Sequence, residues 1–479
     1  MKNISSSSIV ILTSVALILR LLLWMAVGFL HPEGFFTSDS QEYWGLAQSL
    51  LTFHTFTRGL PGLPPEHERT PVYPLFLAAL RAVGLGPRWI VLVQVLLSVA
   101  TVWGVAALAG LLTRNWKAGL MAGWLMALDV PSIVYANLLL TETLFTFLLV
   151  TSTWLLVLFL RGEKAPLWAG FSGLILGLAT LCRPIAVLLP LAMFPLFFLA
   201  AQEPQPVILR QRPDQPQKAG FPRSERKPPS PPVHKRALKG GALYTVGYIL
   251  VVLVWVIRNW LEFGTPFLST IACHNLLNYR AAGVYAVEHR VSIEEAREIL
   301  QGEARALFPG DPSQSPVKFR QVQAQVALSV ILRSPQVYAR NAFISAFNML
   351  VKPLRSTIDL QLGLAEHGST LSPWGKAGGG SLLQRLFQST SLLTLMLTGV
   401  QVLMLAAIWP AFGWGLWKLG KEGNWLGFWA ILLPIVYFVA FSAGPEAYAR
   451  FRVPVMPFIA IGGGVGFFFL TRGRRCVYQ

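Results

Sequence analysis

The chain has 479 residues, 54% of them hydrophobic and only 13% charged. A soluble domain carries roughly 25% charged residues, so this composition excludes an ordinary water-clad surface and leaves the bilayer as solvent. The net charge of +18 does not argue for nucleic acid, because no basic stripe with interleaved aromatics falls on a polar segment; Lys and Arg gathered between apolar runs are what membrane topology requires.

In chain order, apolar runs of spanning length, about 17 to 25 residues, fall at 9–30, 90–112, 118–136, 138–160, 241–260, 389–411, 425–442 and 453–470. Residues 168–201 form a longer run broken at Arg183-Pro184, which reads as two short spans. The expected fold is therefore all-α and polytopic, with about ten transmembrane helices. The first run exceeds the roughly 7 to 15 residues of a secretory signal core and is expected to stay as an anchor. Arg20 lies near its middle, where a charge is costly and turns toward the protein interior, for function or for a buried partner. The three cysteines, Cys182, Cys273 and Cys476, are far apart and odd in number, which suggests neither a disulfide framework nor a zinc site.

Basic residues set the threading. Arg114 with Lys117, Arg161 with Lys164, Lys418 with Lys421, and the tail Arg472, Arg474 and Arg475 mark cytoplasmic connections. Residues 202–239 carry nine Lys/Arg against three acids and are too rich in Pro for helix. With these inside, the chain divides into an N-terminal transmembrane module, 1–201, holding a first outer loop, 31–88; a Pro-rich basic cytoplasmic linker, 202–240; a single span, 241–260; a small extracytoplasmic cap, 261–388; and C-terminal spans with a basic cytoplasmic tail, 389–479. This path requires that 71–84, too short to cross, lies in the outer interface as a helix. A polar helix is expected over 292–307 in the cap, and an interfacial one over 337–351.

Polar groups are scarce enough to be informative. The first outer loop holds Glu33, Asp39, Glu42, Glu66 and Glu68, five of the 22 acids. Downstream of Asp39, Tyr43, Leu46, Ala47, Leu50 and Leu51 share one helical face, which predicts an interfacial helix starting at Asp39. Asp39 and Glu42 also have capping-box spacing, a purely structural use of both acids. Arg69 precedes the second interfacial helix, Glu142 opens a span, Arg183 sits at an outer break and Arg258 at an outer helix end, while Glu446, Arg450 and Arg452 share the last outer connection. Each alone is accounted for by a helix cap or by snorkelling to headgroups. Together they bring acids and arginines from five connections to one face of the membrane, as an anionic membrane-borne substrate requires.

Ser38-Asp39-Ser40-Gln41-Glu42-Tyr43, followed by Glu68-Arg69-Thr70-Pro71-Val72-Tyr73-Pro74-Leu75, resembles the GT-C membrane glycosyltransferases, particularly the protein O-mannosyltransferase and lipid A aminoarabinose transferase branch. Leu140-Thr141-Glu142, Gly177-Leu178-Ala179 before Arg183-Pro184, Trp255-Val256-Ile257-Arg258-Asn259-Trp260 and Ala449-Arg450-Phe451-Arg452-Val453-Pro454 continue it in order, so the resemblance covers most of the chain. It implies a GT-C type bundle in the plasma (inner) membrane with an extracytoplasmic active site. It also implies inverting transfer from a polyprenyl-phosphate sugar donor to a hydroxyl of a glycan, lipid or protein acceptor.

In the roles so implied, Asp39 is the catalytic base or orients the acceptor, and Arg69, with Arg258 and Arg450, contacts the donor phosphate. Glu42, Tyr43, Glu142, Arg183, Glu446 and Arg452 are candidates for the substrate site. Those relatives that use a divalent metal imply Glu68 as a ligand, with His274 or His289 as its partner. Two departures stand out: many relatives carry a second acid where this chain has Ser40, and lysine is common where it has Arg69, which keeps the charge but changes its geometry.

The chemistry is consistent. A hydroxyl attacking an anomeric carbon needs a carboxylate to take its proton, and a departing phosphate needs cations. Two other classes use the same residues differently. A transporter or lipid flippase concentrates polar groups near the midplane, where here Arg20 stands alone; a non-catalytic membrane subunit leaves the acids and arginines dispersed.

Overall fold

The computed structural model describes residues 6–58, 64–162, 165–202, 233–364, 391–445 and 447–472. Among them no strand forms beyond one isolated antiparallel bridge between Thr57 and Pro65, and the architecture is all-α. The first half comprises α1 (Ser6–Leu30), α2 (Ser38–Phe53), α3 (Val72–Ala82), α4 (Pro87–Thr113), α5 (Trp116–Ala127), α6 (Val130–Ala136), α7 (Thr141–Leu160), α8 (Leu167–Cys182), α9 (Leu189–Met193) and α10 (Pro195–Gln202). A long α11 (Val233–Phe263) leads into the cap, built from α12 (Ile271–Asn275), α13 (Ala282–His289), α14 (Ile293–Leu307), α15 (Pro316–Arg333) and α16 (Pro335–Val351). The chain returns through α17 (Ser356–Gln361), α18 (Leu392–Lys421), α19 (Trp425–Ser442), a short α20 (Ala449–Arg452) and α21 (Met456–Arg472).

Six helices are long and apolar enough to cross a membrane, and α5 with α6, bent by 61° between them, makes a seventh candidate. The shorter apolar helices include α3, α8 and α21. At 11 residues α3 covers about 16 Å of a hydrocarbon core about 30 Å thick, and it packs along α2. Close approach between helices relies on glycine. A Cβ on Gly173 would overlap the Tyr244 carbonyl across the α8–α11 seam, and one on Gly466 would overlap the Ala411 carbonyl between α21 and α18. Small residues at such seams are how helices associate when lipid supplies no hydrophobic contrast.

The break between α5 and α6 explains Arg20. Interrupting the helix frees the carbonyls of Met126 and Ala127. The wholly buried Arg20 donates to the Ala127 carbonyl at 3.2 Å, to Ser98 Oγ at 2.8 Å and to the Ala16 carbonyl at 3.0 Å. On the other side of the break Asp129 caps α6, accepting from the Ser132 N–H at 2.9 Å. The intramembrane charge thus satisfies backbone that the helix cannot: four residues after Ala127 stands Pro131, which has no N–H to donate.

The helix ends sort into two groups. At one end, Arg161 after α7 donates to the Leu112 carbonyl of α4 and to Asn424 between α18 and α19, and Arg236 of α11 donates to the Phe159 carbonyl. These basic connections therefore lie together. At the other end lie α2, α3, the starts of α7 and α19's successor α20, and the cap. The cap has its own hydrophobic cluster, with Leu277, Val284, Ile293, Leu300, Val326 and Val330 buried together and separate from the bundle core. The polar helix expected over 292–307 is α14, capped by Ser292.

Candidate active site

Helix α2 begins one residue earlier than expected, and the difference matters chemically. Its cap is Thr37, whose Oγ1 accepts from the Ser40 N–H while Ser40 Oγ accepts from the Thr37 N–H at 2.9 Å. The capping box expected of Asp39 and Glu42 is thus filled by Thr37 and Ser40, and both acids are free to face other partners. Glu142 likewise caps nothing: Leu140 is the N-cap of α7, and Glu142 stands one position into the helix, completely buried.

Those partners are arginines. Asp39 Oδ1 accepts from Arg69 Nη2 at 2.8 Å and its Oδ2 from Arg450 Nη1 at 2.8 Å. Arg450 also donates to Glu142, which pairs with Arg183 at 2.6 Å. On the other side, Arg69 Nε donates to Glu42 at 2.9 Å, its Nη1 to Tyr43 Oη at 3.2 Å, and its guanidinium lies 5.0 Å from the centre of the Tyr43 ring. Glu42 then meets Arg58 at 3.5 Å, Arg58 pairs with Glu66 and, at 2.8 Å, with Glu68, and Glu68 pairs with Arg320 of the cap. Five carboxylates and five guanidiniums, Arg183–Glu142–Arg450–Asp39–Arg69–Glu42–Arg58–Glu66/Glu68–Arg320, form one continuous chain of ion pairs.

The electrostatics follow from that order. Burial alone would push the Asp39 carboxyl up, but Arg450 and Arg69 overcome it and hold the group below its ordinary value of 3.8. Glu68 is treated the same way: burial raises it, Arg320 and Arg58 reverse this, and it settles at about 2. Both carboxylates are ionised at neutral pH. Their charges are matched by guanidiniums whose planar forks can serve two acceptors at once.

The loop before α3 is held from three sides. Glu66 Oε1 accepts from the N–H groups of Glu68 at 2.6 Å and Arg69 at 2.9 Å. Arg258 donates to the Glu66 carbonyl at 3.0 Å and lies against the Trp255 ring. Ser269 donates to the Glu68 carbonyl, the Thr270 N–H donates to the His67 carbonyl at 3.0 Å, and the His67 ring meets Thr270 Oγ1 at 2.7 Å.

The structure therefore brings Asp39, Arg69, Glu42, Tyr43, Glu142, Arg183 and Arg450 together. Arg258 joins through the Glu66 carbonyl rather than at Asp39. Arg452 is not brought in: it is buried and donates to the carbonyls of Met349, Leu350 and Lys352, tying α20 to the end of α16. Glu446 lies outside the described residues.

The metal pairing suggested for Glu68 does not fit. Its carboxylate is already shared by Arg58 and Arg320. His289 is stacked on Tyr285 at 3.9 Å, apart from the ion-pair chain. His274 is near enough to feel the Glu68 charge, and burial with Arg320 close by pushes its imidazole below the usual histidine range. Among the described residues no three His, Cys, Asp or Glu side chains gather as a metal site would require.

Two members of the network were not singled out from the sequence. Arg58 sits in the acidic first loop itself, eight residues before Glu66, where a basic residue among five acids was a readable signal. Arg320 lies on α15 with no such signal, since only folding brings the cap to the loop.

Comparison with known proteins places this geometry in context. Residues 68–213 match the family model described as dolichyl-phosphate-mannose-protein mannosyltransferase. No curated protein matches the chain. The apo oligosaccharyltransferase of Archaeoglobus fulgidus superposes with a TM-score of 0.51 at 15% identity, over 98% of this chain and 51% of that one. The chain has the GT-C fold. The same archaeal enzyme, AglB, in complex with an inhibitory peptide and a dolichol-phosphate, matches at TM-score 0.51 and 13% identity, over 99% of this chain and 52% of that one. ArnT from Cupriavidus metallidurans, bound to undecaprenyl phosphate, matches at TM-score 0.39 and 14% identity, over 98% of this chain and 79% of that one. The chain spans about half the length of the archaeal oligosaccharyltransferase.

Proposed function

We propose that this protein is a glycosyltransferase that moves a sugar from a polyprenyl-phosphate donor to an acceptor hydroxyl, with inversion, at the extracytoplasmic face of the plasma (inner) membrane. The observation that carries this reading is Asp39 held between Arg69 and Arg450, a carboxylate and two phosphate-binding groups within one hydrogen-bonded unit. Arg69 and Arg450 bind the donor phosphate and hold the charge that develops on it as the glycosidic oxygen departs. The acceptor hydroxyl attacks the anomeric carbon from the opposite side, and its proton passes to Asp39. While both arginines grip Asp39 it is a weak base. As each guanidinium turns from the carboxylate to the phosphate, Asp39 loses the cations that depress it and becomes a better proton acceptor. Glu142 keeps Arg183 and Arg450 in place during the exchange. Glu68 is committed to arginines, and no step is assigned to a metal.

The family match and the dolichol-phosphate in the structurally similar AglB complex support a lipid-linked donor. The test is glycan and lipid-linked-sugar mass spectrometry of cells with and without the gene, followed by transfer assays with the purified protein in lipid. Accumulated donor and missing product support transfer. Translocation of a labelled lipid-linked sugar without any covalent product would instead mean a transporter. Because Asp39 is held below 3.8 in the free protein, kcat/KM, which reports the free enzyme, is expected to stay level on acidification until pH falls below that value.

A further inference from the structure

Arg320 lies on the cap helix α15, far along the chain from the first outer loop, yet its guanidinium pairs with Glu68 and with Gln323 Oε1 at 2.7 Å. Glu68 is largely buried, and its second partner is Arg58. Arg58 also pairs with Glu66, whose Oε1 accepts the backbone N–H groups of both Glu68 and Arg69. One set of contacts therefore runs from the cap to the backbone of Arg69. The Arg69 side chain in turn holds Asp39, Glu42 and Tyr43.

We propose that Arg320 is a positioning residue, holding from the cap, through Glu68 and Arg58, the loop that presents Arg69 to the donor phosphate. The role in donor binding rests on the glycosyltransferase reading; the role in ordering the loop does not. The arrangement is suited to it. Glu68 has two guanidinium partners on opposite sides, one from its own loop and one from the cap. Removing Arg320 leaves a buried carboxylate with only a local partner, so the side-chain tie from α15 is lost while the loop's own pair and the backbone contacts from Ser269 and Thr270 remain. Both guanidiniums hold the Glu68 carboxyl down against its burial, so each is a real partner of the buried charge. Lys318, exposed on the same helix, carries charge without reaching the loop and serves as the control.

The experiment compares wild type, Arg320→Gln, Arg320→Lys and Lys318→Gln in lipid, with two readouts. Hydrogen exchange in peptides covering 64–72 is expected to quicken in Arg320→Gln, be largely restored in Arg320→Lys, and be unchanged in Lys318→Gln. In transfer assays the donor KM rises in Arg320→Gln by roughly 5- to 30-fold, the factor that follows from one to two kcal/mol, while kcat changes much less. Exchange over 64–72 that is the same in Arg320→Gln as in wild type overturns the proposal. So does a loss of kcat at unchanged KM, or equal effects from Arg320→Gln and Lys318→Gln. If Arg320→Gln fails to fold, Arg320→Lys decides: a lysine cannot serve Glu68 and Gln323 with a planar fork, so exchange over 64–72 must stay measurably faster than in Lys318→Gln, and exchange equal to that of Lys318→Gln overturns the proposal. Should no polyprenyl-phosphate sugar serve as donor, the transferase reading fails while the exchange arm still decides the role of Arg320.

Discussion

The two halves of the ion-pair chain are built on different supports. The Asp39 half is assembled from the ends of helices: Asp39 in the first turn of α2, Glu142 in the first turn of α7, Arg183 at the end of α8 and Arg450 on α20. Helix ends are fixed by the packed bundle, so charges there hold their spacing even where they are desolvated. The Glu68 half hangs on loop and cap, with Arg58 and Glu66 beside the Thr57–Pro65 bridge and Arg320 on a body with its own core. Rigid support suits groups that must meet reacting atoms. A joined loop and cap suit groups that must let a lipid-linked substrate enter and leave.

Removing Glu142 is the harshest way to test that contrast. Glu142 is fully buried between Arg183 and Arg450, and Glu142→Ala leaves two guanidiniums without their carboxylate. Breaking a buried pair costs about 3–5 kcal/mol, so a large drop in thermal stability is expected. Glu68→Ala should cost less, because the Arg58 and Arg320 side chains are 39% and 20% exposed and water can take over part of their solvation. Equal losses in the two variants, measured by unfolding in detergent, would erase the distinction between a rigid and a yielding half.

Asp39→Asn separates chemistry from support within the rigid half. The cap of α2 belongs to Thr37 and Ser40, so the helix keeps its start, and the amide can still accept from one arginine. Transfer should fall by roughly 10²- to 10⁴-fold, the range for losing a general base, with expression and melting little changed. An Asp39→Asn protein that transfers at the wild-type rate removes Asp39 from the mechanism.

These expectations also show what could be read in advance. The bundle was legible because a spanning helix needs a long uninterrupted apolar run, and the amphipathic face of α2 because Tyr43, Leu46 and Ala47 recur at helical spacing and are buried. The outer cluster was legible because charges are rare here and basic connections fix which helix ends share a side. Side-chain direction was not. Arg450 and Arg452 are two residues apart, yet one reaches Asp39 and the other the carbonyls at the end of α16, since alternate positions on so short a helix face different neighbours. The partner of Arg20 was also out of reach: Pro131 has no N–H to give the Ala127 carbonyl four residues back, but nothing in the sequence says that Arg20, from another helix, reaches that carbonyl.

Arg20 offers a milder test, away from both halves. Arg20→Met keeps much of the side-chain volume but leaves the Ala127 carbonyl unpaired in an apolar setting, at a cost of about 1–3 kcal/mol. Stability should fall while the donor KM holds, because none of Arg20's hydrogen bonds goes to a member of the ion-pair chain. A rise in donor KM at unchanged stability would instead give this intramembrane charge a part in binding.

The smallest effect belongs to Ser40, where many GT-C relatives carry a second acid. Its hydroxyl accepts the Thr37 N–H and its own N–H donates to Thr37 Oγ1, so the position serves the helix start rather than the substrate. Ser40→Ala removes one half of a reciprocal cap and should cost about 1 kcal/mol, with transfer near the wild-type rate. The pairing with Asp39→Asn makes this informative despite its size. Adjacent residues on the same turn are expected to divide cleanly, Asp39 affecting rate with little stability and Ser40 stability with little rate. If Ser40→Ala instead abolishes transfer while the protein melts normally, the hydroxyl acts on substrate, and Asp39 shares its chemistry with the neighbour that here looks structural.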